Sequence, residues 1–155
     1  MIPEFDNLSE AEVNTLLKAP VYVTLLIAGA DGKIDNNEIE SAVSISKLKQ
    51  SRARQALIEY YKVVGQGFEK TLREQIVNLP GDTQQRGHSL IAELEKLNRI
   101  LPKLDQPFAI KFYQSLKDVA KKVAESSGGV LGFMSVSYEE AKLVSLKMIM
   151  DPADF

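Results

Sequence analysis

Between Ala28 and Glu40 the chain reads AGADGKIDNNEIE. Asp31, Asp35 and Glu38 crowd this one short turn, and closely spaced carboxylates are the ligands that a hard divalent cation (calcium, magnesium or manganese) takes. The EF-hand frame is the sharpest test of that chemistry. With Asp31 at position 5 of the loop, Gly32 falls at 6, Ile34 at 8, Asp35 at 9 and Glu38 at 12, all as a calcium loop requires. Positions 1 and 3 then fall on Ile27 and Gly29, which carry no carboxylate. Calcium takes ~6–8 oxygens, so a full cage is missing and only a weak or shared cation site is open to these residues.

Helix capping explains the same residues without any metal. Gly32 suits a left-handed helix end, and Asp31 can close an Asx-turn. Asp35 suits an N-cap, Glu38 can bond back to it, and Ile34 and Ile39 can staple the cap. Both readings stand at this point.

Other constellations are thinner. His88 is the single His and the chain has no Cys. Thiolate metal sites and disulfides are therefore excluded, and a Ser-His-Asp triad would have to use His88, whose partners nothing fixes. Gly128-Gly129-Val130-Leu131-Gly132 lacks the Lys and Ser/Thr of a phosphate loop. Leu131 and Phe133 beside it are candidates for a small apolar partner-binding patch, or for side chains folded back on the core. Glu93, Glu95, Glu139 and Glu140 read as solvated-face residues, and the Tyr60-Tyr61 pair as half core and half surface.

The elements that must position these residues are helical. Ser9-Glu10-Ala11-Glu12 has the form of a capping box, and the helix after it is expected to stop before Pro20. A second, nearly all-apolar helix is expected from Val21 to Ala28, with Pro20 suited to its first turn; a strand is the rival, since Val21, Val23, Thr24 and Ile27 are β-branched, but no other segment reads as a strand to pair with it. A third helix is expected after the acidic turn. Leu57, Tyr60, Tyr61, Val64, Phe68 and Leu72 predict one long helix or two over Arg54 to Asn78, with a kink or break at Gly65 and Gly67. Asp82 is a candidate N-cap. Leu90, Leu94, Leu97 and Leu101 predict a helix closed by Pro102. Phe108, Phe112, Leu116, Val119 and Val123 predict another from about Asp105 to Ser127. Ser137-Tyr138-Glu139-Glu140 opens a last one through Val144, Met148 and Ile149. Nothing alternates with period two. The expected fold is all-α: a single-domain bundle of about seven helices over residues 1–155, with an internal pseudo-repeat of helix–acidic turn–helix units at Asp31 and Ser137.

Composition sets the outer limits. With 155 residues, 45% apolar and 26% charged, the chain belongs with single globular domains rather than disordered ones. A net charge of −2 and a pI near 5.5 give no basic footprint for nucleic acid. Lys47, Lys49, Arg52 and Arg54 fit as cations at a helix C-terminus and the solvated start of the next helix. The first residues lack the pattern of a signal peptide. The apolar run Val21 to Ala30 is shorter than the ~20 residues of a membrane span, so none is expected.

The two loops, ADGKIDNNE and AESSGGVLGFMSVSYEE, on an all-helical chain of this length resemble the tellurite-resistance TerB-like family. Each family loop has a small residue, Asp and Gly, a short spacer and an acidic helix start. The chain departs from it at Ser127-Gly128, where the family pattern puts Asp beside Gly. The resemblance implies a helical, cytoplasmic bacterial domain of stress-response systems, sometimes fused to co-chaperone modules, with a divalent-metal role at the acidic loop residues. Carried over, these are Asp31, Asp35 and Glu38, with Glu139 or Glu140 from the second loop. The expected function is a non-enzymatic binding or interaction domain that takes a divalent cation at Asp31, Asp35, Glu38 and Glu140, and a protein partner or a second copy at Leu131 and Phe133. The alternatives are a metal-dependent hydrolase-like enzyme and a co-chaperone-like scaffold.

Overall fold

Ser9 and Glu12 do what their spacing predicts. The Glu12 N–H donates to Ser9 Oγ at 3.1 Å and the Ser9 N–H donates to Glu12 Oε1 at 2.9 Å, closing the capping box at the start of α1 (Glu10–Ala28). Lys103 Nζ, 2.6 Å from Glu12 Oε2, holds that carboxyl below its usual range. Ser9→Ala is expected to lower stability by ~1 kcal/mol, read as a shifted urea midpoint with an unchanged m-value.

The computed structural model describes residues 2–29, 40, 43–44, 55–127 and 143–155. Within them α1 is followed by α2 (Gln55–Asn78), α3 (Thr83–Glu95) and α4 (Gln106–Ser127). A single helical turn (Leu97–Ile100) and a 3-10 turn (Leu101–Lys103) join α3 to α4. The described residues contain no strand, so the fold is all-α, with four helices longer than one turn. Glu40, Val43 and Ser44 are helical, in keeping with a helix after the acidic turn. The two loops of the expected pseudo-repeat lie outside the described residues.

The helix expected to end before Pro20 does not end there. α1 runs unbroken through Pro20 to Ala28. A proline inside a helix leaves the carbonyl four residues back without its N–H, and here that carbonyl belongs to Leu16. The Tyr60 hydroxyl of α2 donates to it at 2.5 Å. The orphaned acceptor is thus satisfied from another helix, and the segment stays helical because its apolar surface is covered. Residues 19 to 29 are all buried. Thr24, the one polar side chain among them, donates to the Pro20 carbonyl at 2.8 Å. Among the described residues α1 is also the one helix long and apolar enough to cross a membrane, but 61% of that stretch is buried inside the fold.

α1 is the hub: α2, α3 and α4 all pack on it. α2 passes Gly65 and Gly67 without the expected break. Leu57, Tyr60, Tyr61, Val64, Phe68 and Leu72 are buried on both sides of the glycines, and their burial outweighs a cost of ~1 kcal/mol per helical Gly. Tyr60 sits edge-to-face against Phe5, Tyr61 and Phe112 at centroid distances of 6.2, 4.9 and 5.3 Å. Asp82 caps α3, accepting from the Gln85 N–H at 2.9 Å. The helix expected to continue from Leu90 to Leu101 is interrupted at Lys96. α4 follows its predicted stripe, with Phe108, Phe112, Leu116, Val119 and Val123 buried.

The C-terminal helix expected through Val144, Met148 and Ile149 does not cover those residues. Leu143 is helical, residues 144–150 run through turns, and a 3-10 turn covers Pro152–Asp154. Leu146 turns the chain with a left-handed φ of 50° and, like Ile149, is buried. Side chains replace the helical hydrogen bonds. Tyr113 Oη donates to the Ser145 and Leu146 carbonyls, both at 3.1 Å. Asn98 grips both sides of Ile149: its Nδ2 donates to the Met148 carbonyl at 3.0 Å, and its Oδ1 accepts from the Met150 N–H at 2.7 Å. Gln106 Nε2 donates to the Pro152 carbonyl at 3.0 Å.

Candidate functional site

In the sequence the acidic turn follows the buried end of α1. Gly29 caps the helix, its N–H donating to the Leu25 carbonyl at 2.9 Å. The predicted metal residues Asp31, Asp35, Glu38 and Glu140 lie outside the described residues, as do Glu139 and the predicted partner-binding residues Leu131 and Phe133. Among the described residues no group of three or more His, Cys, Asp or Glu side chains is gathered.

What the structure does bring to the end of α1 is Arg86. The residue is only 9% exposed, and its Nη2 donates to the Gly29 carbonyl at 2.9 Å. A positive group suits this place because the C-terminal end of a helix carries partial negative charge. The packing is tight: a Cβ on Gly29 would come within 2.9 Å of Arg86 Nη2 and 3.0 Å of the Leu25 carbonyl oxygen. Close approach favours glycine here, since any side chain would displace the guanidinium, whereas its φ of −93° is open to any residue.

Beside the guanidinium lies a cavity of about 220 Å3. Leu25 and Leu26 of α1 and Leu90 and Ile91 of α3 supply apolar wall, and Thr83, Arg86 and His88 supply polar groups. His88 is exposed. An arginine and an imidazole against leucine walls can recognise an anion. Gly87, which also lines the cavity, has no atom within 4 Å of where its Cβ would stand.

The tyrosine pair is buried in full, not half-exposed as the sequence suggested. Tyr61 Oη donates to Ser115 Oγ at 2.8 Å, which passes the bond on to the Phe112 carbonyl at 2.7 Å. Burial pushes both phenols well above their ordinary range; the neighbouring Tyr61 adds to the rise at Tyr60, and the Ser115 hydrogen bond opposes it at Tyr61. Both therefore stay protonated and serve as donors. Glu93 pairs with Lys96 at 3.0 Å on the surface, and Glu95 is exposed.

Arg86 was not legible as a site residue, because it falls in the polar stretch after Pro80-Gly81. One signal was available. Arg86, Leu90, Leu94 and Leu97 recur at helical spacing, which puts the arginine on the core-facing stripe of α3. No family model, curated protein or solved structure matches the chain.

Proposed function

We propose that the chain is a non-enzymatic, cytoplasmic binding domain of TerB-like type whose acidic turn holds a divalent cation weakly. Asp31, Asp35 and Glu38 are its ligands, with Glu140 from the second loop completing the helix–acidic turn–helix repeat. Leu131 and Phe133 form its contact with a protein partner or a second copy. The observation that supports the reading best is the end of α1. A helix of 19 residues with a buried C-terminal half places roughly half an elementary negative charge at its C-terminus, and three carboxylates follow in the sequence within one short turn. Both attract a cation.

The test must separate metal binding from capping. Asp35→Asn and Glu38→Gln keep N-cap and capping-box chemistry while removing charge, so we combine them with Asp31→Asn. Calcium, magnesium or manganese at about ten times its dissociation constant is expected to stabilise the unaltered chain by ~1.4 kcal/mol, a rise in Tm of ~3 °C for this chain length. The triple variant is expected to melt at the same temperature with and without the ion. Melting unmoved by all three cations at millimolar concentration overturns the cation site. An equal shift in the triple variant overturns its assignment to the turn.

A further inference from the structure

We propose that the cavity at the end of α1 binds a small organic anion, a monocarboxylate with a short apolar body, on the guanidinium of Arg86. Two independent features carry this. The first is the arginine. A guanidinium offers five N–H donors in a planar fork, and among the described residues the acceptor it meets is the Gly29 carbonyl. A guanidinium this far from water is favoured by an anion beside it, and Arg86, 9% exposed, lines the cavity in which one would sit. The carboxylate is the group whose two oxygens match the fork.

The second feature is the cavity itself. Leu25, Leu26 and Leu90 are buried apolar wall, which favours a hydrocarbon body over a second charge and so a carboxylate over inorganic phosphate. At about 220 Å3 the space exceeds the ~150 Å3 in which a protein cavity can hold benzene, so a branched or aromatic acid of similar size fits. Gly87 leaves this wall open where any other residue would place a side chain. The proposal stands on Arg86 and the cavity and does not depend on a cation at the acidic turn.

The experiment titrates the full chain with 3-methylbutyrate and benzoate, followed by amide NMR and by melting temperature. Neutral 3-methylbutyramide and inorganic phosphate are the comparison probes. Saturable shifts at Gly29, Gly87 and Leu90 are expected with a carboxylate at a Kd of about 1 mM or below, with at least ~10-fold weaker binding of the amide, because the charged pair is lost. Arg86→Gln is expected to abolish binding. Gly87→Leu fills the cavity and replaces a glycine with a better helix former, so it is expected to abolish binding in a chain that still folds, and it decides the question if Arg86→Gln does not fold. No saturable shift with either acid overturns the proposal. Equal affinity for acid and amide, binding retained in Gly87→Leu, or phosphate bound in preference to both acids does so too. The cation titration with the charge-neutralised turn reads a different site, so either result can fail alone.

Discussion

Tyr60→Phe is expected to destabilise the fold by ~2 kcal/mol, and most of that loss is expected to vanish in a Pro20→Ala background. The substitution removes only the hydroxyl. The ring keeps its edge-to-face contacts with Phe5, Tyr61 and Phe112, so the change isolates the hydrogen bond to the Leu16 carbonyl. That carbonyl belongs to a fully buried residue, and leaving a buried acceptor unmade costs ~1–3 kcal/mol. An alanine in place of Pro20 has the N–H that proline lacks and can bond the same carbonyl from within α1. Urea unfolding of the four proteins in the cycle gives the coupling, expected at ~1 kcal/mol or more. If Tyr60→Phe costs the same in the Pro20→Ala background as in the parent chain, the hydroxyl is not standing in for the missing N–H.

Asn98→Ala is expected to cost about 2 kcal/mol and to release the C-terminal segment before the rest of the fold opens. Its amide makes two hydrogen bonds to the backbone around Ile149, and truncation leaves the Met148 carbonyl and the Met150 N–H without those partners. Asn98→Asp is no rescue, because a carboxylate keeps the acceptor for Met150 but sets negative charge against the Met148 carbonyl. Faster hydrogen exchange at the Met150 amide and new proteolytic cleavage within residues 144–151 are the readouts. Exchange and cleavage unchanged from the parent would mean that Tyr113 and Gln106 hold the segment unaided.

The helices were legible where one stretch of sequence contains both the cause and the effect. The Ser9–Glu12 box, the Asp82 cap and the α4 stripe from Phe108 to Val123 depend on residues within a few positions of one another. Pro20 misled because its neighbours in sequence argue for a break, while its remedy lies on Tyr60 in another helix. Gly65 and Gly67 misled for a related reason: local propensity argues for a break, and the buried residues flanking them decide otherwise. The last segment reads as helix by periodicity, yet its backbone is held by side chains of Asn98, Gln106 and Tyr113, which no local pattern announces. The acidic turn was the most conspicuous feature of the sequence, and its candidate ligand residues lie outside the described structure. Arg86 was passed over as one more polar residue after a turn, although its spacing from Leu90 and Leu94 placed it inward.

The central position of α1 has a consequence for synthesis. It is made early, and α4, one of the helices that cover it, is made last of the four. At ~5–20 residues per second, the ribosome extends the chain for ~10 s between completing α1 and completing α4. During that interval the growing polypeptide carries an apolar helix with much of its surface uncovered, and until Tyr60 of α2 is made and docked the Leu16 carbonyl lacks its donor. The element on which the finished molecule is built is therefore also its greatest liability while the molecule is being made.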